Sequence, residues 1–155
     1  MAENQTSPEY AMLPAGTLTK WGKPGDALAA LKPLDNCKAL GAMGQTGGFV
    51  DCTTLKDKQK QSISDLPDGP EKSLGFIDDP ANVSFTALLN AAEARETIQL
   101  YVELPNKRTA TMLLALSGWQ MNEITAPPSE VIQITVQGKQ NSIKWGTAGA
   151  DAGGE

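Results

Sequence analysis

FVDCTTLKDKQKQSISDLPDGPEKSLGFIDDP, residues 49–80, is the stretch whose reading decides the fold. It reads as an apolar strand, a long charged segment and a second strand. Residues 56–72 show no apolar periodicity at either the helical or the strand repeat. Loops in compact domains run to about 4–6 residues, so a segment this long points to a functional or a disordered element rather than a plain connection. Lys56, Lys58 and Lys60 make a small basic cluster, with Asp57 interleaved and Asp65, Asp68 and Glu71 downstream. Without an aromatic partner this is a weak nucleic-acid patch. A solvated face and a charged contact between subunits are the two readings that remain.

Outward from this block, the chain reads as strands separated by turns. Towards the N-terminus, residues 15–22 form a short strand with Leu18 as an inward anchor. Lys23-Pro24-Gly25-Asp26 is turn chemistry, because Pro fixes φ and Gly supplies φ > 0. Asp26 is placed to cap a helical turn over 27–31. Residues 37–43 and 48–54 read as a hairpin around a turn at 44–48. Beyond the charged segment come strands at 73–77 and 82–87, the latter with Val83, Phe85 and Ala87 on one face. Residues 88–96 are rich in Ala, Leu, Glu and Arg and form the one helix candidate, too short to hold unless docked.

Residues 97–104 alternate cleanly, with Ile98, Leu100, Val102 and Leu104 on one side. With a turn at 105–107 and a return over 109–119 they predict the clearest hairpin. The unbroken apolar run 112–116 suggests burial on both faces. A linker at 126–128 precedes a strand at 131–137, with Ile132, Ile134 and Val136 inward. A turn at 138–141 and a last strand at 142–145 follow. The expectation is one domain over 13–145, with a flexible arm at 1–12 and a flexible Gly/Ala tail at 146–155. The fold class is mainly β: a sandwich or barrel of two antiparallel sheets flanked by one short α-helix, with a long inter-strand loop.

Composition narrows the function. Among 155 residues there is no histidine. That removes Ser-His and Cys-His nucleophile pairs and the common zinc sites. Asp78-Asp79, with Asp51 or Asp68, would be the material for a carboxylate pair or a calcium site, but the D-x-D-x-D-G spacing is missing. Gly44–Gly48 lacks the lysine and hydroxyl residue that a phosphate loop needs. No catalytic residue, cofactor or metal is expected. The formal net charge of −5 makes strong binding to DNA unfavourable, since that affinity comes from Lys and Arg displacing counterions.

No signal peptide or membrane span is visible, so synthesis in a reducing cytoplasm is expected. Cys37 and Cys52 then read as buried small hydrophobes, with a bridge between neighbouring strands as the alternative. Trp21, Trp119 and Trp145 lie near strand ends, as core packing or as interface anchors.

The 49–80 block also resembles the tail tube proteins of long-tailed bacteriophages. The likeness rests on Asp51 and Thr53-Thr54-Leu55, then Ile63, Leu66 and Asp68-Gly69, and a strand closing at Asp79-Pro80. It extends in order of elements over roughly residues 15–145, with Pro-Asn at a hairpin tip and Val-Gln-Gly-Lys in the closing strand. The helical segment is short for the family. The resemblance implies a structural virion protein of the siphophage type, made in the host cytoplasm and built into the tail. Six copies would form a ring whose strands join into an inner β-barrel, and rings would stack into a channel for DNA ejection.

Partners implied are further copies of the chain, the tape measure, tail terminator and tail tip proteins, and phage double-stranded DNA passing without tight binding. The inter-ring or subunit contact would fall on Lys56, Asp57, Lys58, Lys60, Ser62, Asp65, Asp68 and Glu71. Lys38, Gln45, Asp51 and Asp78 are candidates for an acidic channel wall, with the 97–119 hairpin assigned to the core. The related haemolysin-coregulated tube protein of secretion systems shares the implied architecture. A secretion-system tube subunit and a β-sandwich binding module are the alternatives.

Overall fold

Alternation in the C-terminal half dictates most of the architecture. The computed structural model describes residues 13–127 and 130–148. Its strands are β1 (Leu18–Gly22), β2 (Lys32–Pro33), β3 (Cys37–Ala39), β4 (Phe49–Asp51), β5 (Ser62–Ser64), β6 (Glu71–Ile77), β7 (Thr97–Glu103), β8 (Arg108–Met121) and β9 (Gln133–Thr147), with one helix, α1 (Val83–Glu93). Seven strands make one antiparallel sheet in the order β2-β1-β7-β8-β9-β6-β3, and β4 and β5 make a second. The mainly β class with two antiparallel sheets and one flanking helix is therefore as the sequence suggests, although the sheets are very unequal.

The core lies on one face of the large sheet. Ile98, Leu100 and Val102 of β7, Met112, Leu114 and Leu116 of β8, Ile134 and Val136 of β9, and Leu74 and Phe76 of β6 are all buried there. Helix α1 covers this face with Phe85, Leu88, Ala91 and Ala92. The Phe85 ring meets Phe76 at 5.1 Å between centroids, and the Trp21 indole donates to the Ser84 carbonyl at 3.1 Å. With few aromatics available, aliphatic burial at about 25 cal/mol per Å2 carries the core.

Several expected elements differ. Residues 82–87 begin the helix and are not a strand. Asn82 caps it by accepting from the Phe85 N–H at 3.2 Å, and Phe85 and Leu88 then face the core three residues apart. The apparent alternation of Val83 and Phe85 was misleading, since Val83 is exposed. The helix ends with Arg95 at φ 59; Glu96 N–H bonds Ala91 O and Arg95 N–H bonds Ala92 O, a Schellman closure. Leu18 points outward, while Thr19 and Trp21 point in. Ala27, not Asp26, sits at the cap of the 3-10 turn Leu28–Ala30; Asp26 instead accepts from the Lys23 N–H.

Cys37–Ala39 pairs with β6 rather than with β4. Residues 112–116 alternate between buried and half-buried instead of being buried throughout. Ile132 is exposed. The expected turn at 138–141 is absent, because β9 runs through it against β8 with register shifts that absorb the irregularity. β9 also continues through Thr147, past the expected start of the tail. The 1–12 arm and residues 149–155 lie outside the described residues.

Candidate functional site

The 49–80 block is where the structure departs most from a simple loop. Residues 62–64 form β5 and pair with β4, matching Phe49 to Ser64, Val50 to Ile63 and Asp51 to Ser62. The expected 56–72 loop is thus the far half of a two-stranded arm plus its return to β6. Polar side chains close its end. Thr53 donates its hydroxyl to Asp51 at 2.6 Å, the Gln61 N–H donates to the Thr53 hydroxyl at 2.8 Å, and Asp57 accepts from the Thr54 N–H at 2.9 Å. These bonds from Thr53 hold the Asp51 carboxyl below its usual pKa.

Apolar residues on the arm have no core to enter. Phe49 is 77% exposed and Leu66 82%, and Val50, Leu55 and Ile63 are exposed as well. None of the five belongs to the hydrophobic core. Val50 and Ile63 face each other across the ladder and form one apolar face. Scattered exposed apolar residues need no explanation, but here five are concentrated on one short hairpin within residues 46–68.

The arm is tied firmly at its root. Thr46 and Asp68 exchange backbone hydrogen bonds at 3.2 and 2.8 Å. Asp68 pairs with Lys139 at 3.2 Å, whose ammonium also donates to the Gly69 carbonyl at 3.0 Å. A Cβ at Gly69 would strike the Gln140 carbonyl oxygen, so only glycine lets the return strand pass. Buried Gln140 donates to the Gly44 carbonyl at 2.7 Å and accepts from its N–H at 3.4 Å. Buried Lys72 donates to the Ala42 carbonyl at 2.5 Å; loss of solvent pushes its pKa down. Together these side chains pin the 40–46 connector to the sheet beneath it.

Of the predicted contact residues, Lys56, Asp57, Lys58, Lys60, Ser62 and Asp65 lie on the arm, and Asp68 and Glu71 stand at its root. Of the predicted wall residues, Lys38 lies in the edge strand β3 and Asp78 just past β6, whereas Gln45 and Asp51 belong to the connector and the arm. Asp51, Asp68 and Asp78–Asp79 are spread over the arm, its root and the far end of β6. Among the described residues, no three histidine, cysteine or acidic side chains cluster as metal ligands would. Cys37 is a half-buried thiol whose pKa burial pushes up to about 11; Cys52 is exposed on the arm, contrary to the expectation that both are buried. Trp21 is buried and Trp145 exposed. Among the described residues, no helix is long and apolar enough to cross a membrane.

The face of the large sheet opposite the core is polar. One cross-strand row carries Lys20, Tyr101, Thr111 and Lys144, and another carries Thr97, Ala115, Lys139 and Glu71. These side chains are exposed or half-exposed. Sequence reasoning missed the anchors Lys72 and Gln140. The arm's exposed apolar residues stand in the sequence as Leu55, Ile63 and Leu66 set among charges.

Residues 12–148 match the phage tail tube protein family. The chain belongs to that family. No curated protein matches it in sequence. Among solved structures, a chain of the sheath–tube complex of the extracellular contractile injection system PVC superposes with a TM-score of 0.71 at 7% identity, covering 90% of this chain and 94% of that one. The SPP1 tail tube gives 0.64 at 6% identity, covering 84% and 76%. The tail of an empty gene transfer agent particle gives 0.62 at 10% identity, covering 89% and 99%. At such identities the likeness establishes the fold. The family is one of structural tail tube proteins, which are not enzymes.

Proposed function

We propose that this tail tube protein forms six-membered rings that stack into the tube of a phage tail, through which the genome leaves the virion. The carrying observation is the β4–β5 arm, which holds five exposed apolar residues outside its own subunit's core. Such a surface is satisfied by another copy. The arm bridges one ring to the next, and contacts between neighbours within a ring pair the free edges of β2 and β3. Head-to-tail contacts that close by rotation give rings, and those that do not close give the long axis of a tube. The six-fold symmetry of the gene transfer agent tail, with which the fold is shared, supports the ring count.

The channel wall in this reading is the polar face of the large sheet, with Lys38 and Asp78 at its β3–β6 margin. That face presents Thr, Ser and Gln, with Lys20, Lys139 and Lys144 offset by Glu71 and Glu103. It is therefore mixed in charge rather than acidic, and its sparse cations leave duplex DNA weakly held. Gln45 and Asp51 take part in subunit contacts. The tube would be completed by terminator, tape measure and tip proteins of the same particle. The injection-system sheath–tube and terminator assemblies that share the fold support such company.

Negative-stain microscopy of the purified protein tests the reading. Hollow tubes of stacked rings are expected, with duplex DNA bound weakly at physiological salt. Deleting residues 58–64 should leave a folded protein that does not polymerise. A small species at every concentration, or normal tubes from the deletion, would overturn it.

A further inference from the structure

The arm's exposed apolar face calls for a partner surface, and a second exposed apolar cluster lies at the other end of β6. The arm returns to the sheet at Glu71, the first residue of β6. At the far end of β6, six residues or about 20 Å away, lies the β8–β9 connection. Ile77, Met121, Ile124, Val131 and Ile132 are all exposed there. Register places them at one end of the sheet: Met121 pairs with Ile134 at the margin of the core face, Ile77 pairs with Gln133 on the other face, and the Asp78 N–H donates to the Ile132 carbonyl at 3.0 Å.

Charge at the two ends is opposite. The far end carries Asp78, Asp79, Glu123 and Glu130, and the sequence contains no lysine or arginine between residues 109 and 138. The arm's outer turn carries Lys56, Lys58 and Lys60 against Asp57 alone. Two apolar surfaces of opposite charge, rooted at the two ends of β6, suit a heterologous, head-to-tail contact.

We propose that the β8–β9 end is the docking seat for the β4–β5 arm of a copy in the adjacent ring. Val50 and Ile63 pack on Ile124 and Ile132, and the arm's lysines meet Glu123, Glu130 and Asp79. Burial of the arm's apolar face supplies the affinity, and the charges fix direction, so that an arm does not seat on another arm. This inference rests on the tube reading and names the second half of its inter-ring contact.

The test is charge reversal with rescue. Glu123→Lys with Glu130→Lys should abolish stacked tubes while leaving the thermal melting of the subunit unchanged. Adding Lys58→Glu and Lys60→Glu to the same chain should restore them. Independently, mild oxidation of assembled Ile124→Cys protein carrying Cys37→Ala should link its new thiol to the exposed Cys52 of the next copy. The expected readout is a reducible ladder of oligomers that the Cys37→Ala parent lacks. Tubes formed as well by the reversed chain as by wild type, failure of the rescue, or no ladder from assembled protein would overturn the seat and leave the tube reading standing. A wild-type protein that never assembles would remove both.

Discussion

The β4–β5 arm and the seven-stranded sheet use their apolar residues in opposite ways. In the sheet, Leu100, Met112 and Leu114 are completely buried beneath α1. In the arm, Phe49, Ile63 and Leu66 face outward with only a three-residue ladder behind them. The same residue types therefore sit in two settings: one region holds the subunit together, and the other is left exposed for the contact proposed with another copy. A two-stranded hairpin is marginal by itself in water. The arm's short ladder and its anchors at Asp68, Lys72 and Gln140 fit an element that gains its full stability only against a partner.

That division has measurable consequences. Phe85→Ala, in the core, should cost about 3–5 kcal/mol of subunit stability in urea unfolding. Phe49→Ala, on the arm, should cost less than about 0.5 kcal/mol yet raise the concentration needed for assembly. A large stability loss from the arm substitution would erase the distinction between the two regions.

Lys72 sharpens the boundary between them. Burial lowers its pKa from the ordinary 10.5, so the unfolded chain holds this proton more tightly than the folded one. Stability should then rise with pH from the lowered value towards 10.5, and the penalty should be fully present at lower pH. Lys72→Met should flatten that rise, and by freeing the connector at Ala42 it should loosen the arm's root. An unchanged pH profile in the variant would show that the buried ammonium is not strained.

The smallest effect is expected at the cysteines. Exposed Cys52 should react readily with a thiol reagent in the native protein, while Cys37, with its pKa near 11, should stay protected until the chain unfolds. Replacing both with alanine should leave assembly intact. Tubes that dissolve on addition of a reducing agent would contradict this.

How much of this was legible in the sequence follows from local physics. The β7–β8 hairpin was readable because Ile98, Leu100 and Val102 alternate without interruption on a sheet buried on one side. The start of α1 was not, because Val83, Phe85 and Ala87 mimic a strand; the decisive signal was the Asn82 cap rather than periodicity. β9 looked like two strands because Gly138 and Asn141 are turn residues, and only long-range pairing with β8 carries the backbone through them. The arm was visible as an element of unusual length, and its basic cluster as a contact candidate. Its strand β5 was hidden because Ser62 and Ser64 flank a single apolar residue. The anchors Lys72 and Gln140 answer to partners on the 40–46 connector, far away in the chain, and no local pattern announces them.

The central claim is that the arm and the β8–β9 end are surfaces completed only by neighbouring copies. Hydrogen exchange on the dispersed subunit and on the assembled protein measures this directly. The account predicts that amides of residues 46–68, 121–126 and 130–133 gain strong protection on assembly, while those of β7 and the buried stretch of β8 are slow in both states. Exchange in the arm that is equally fast before and after assembly would contradict it.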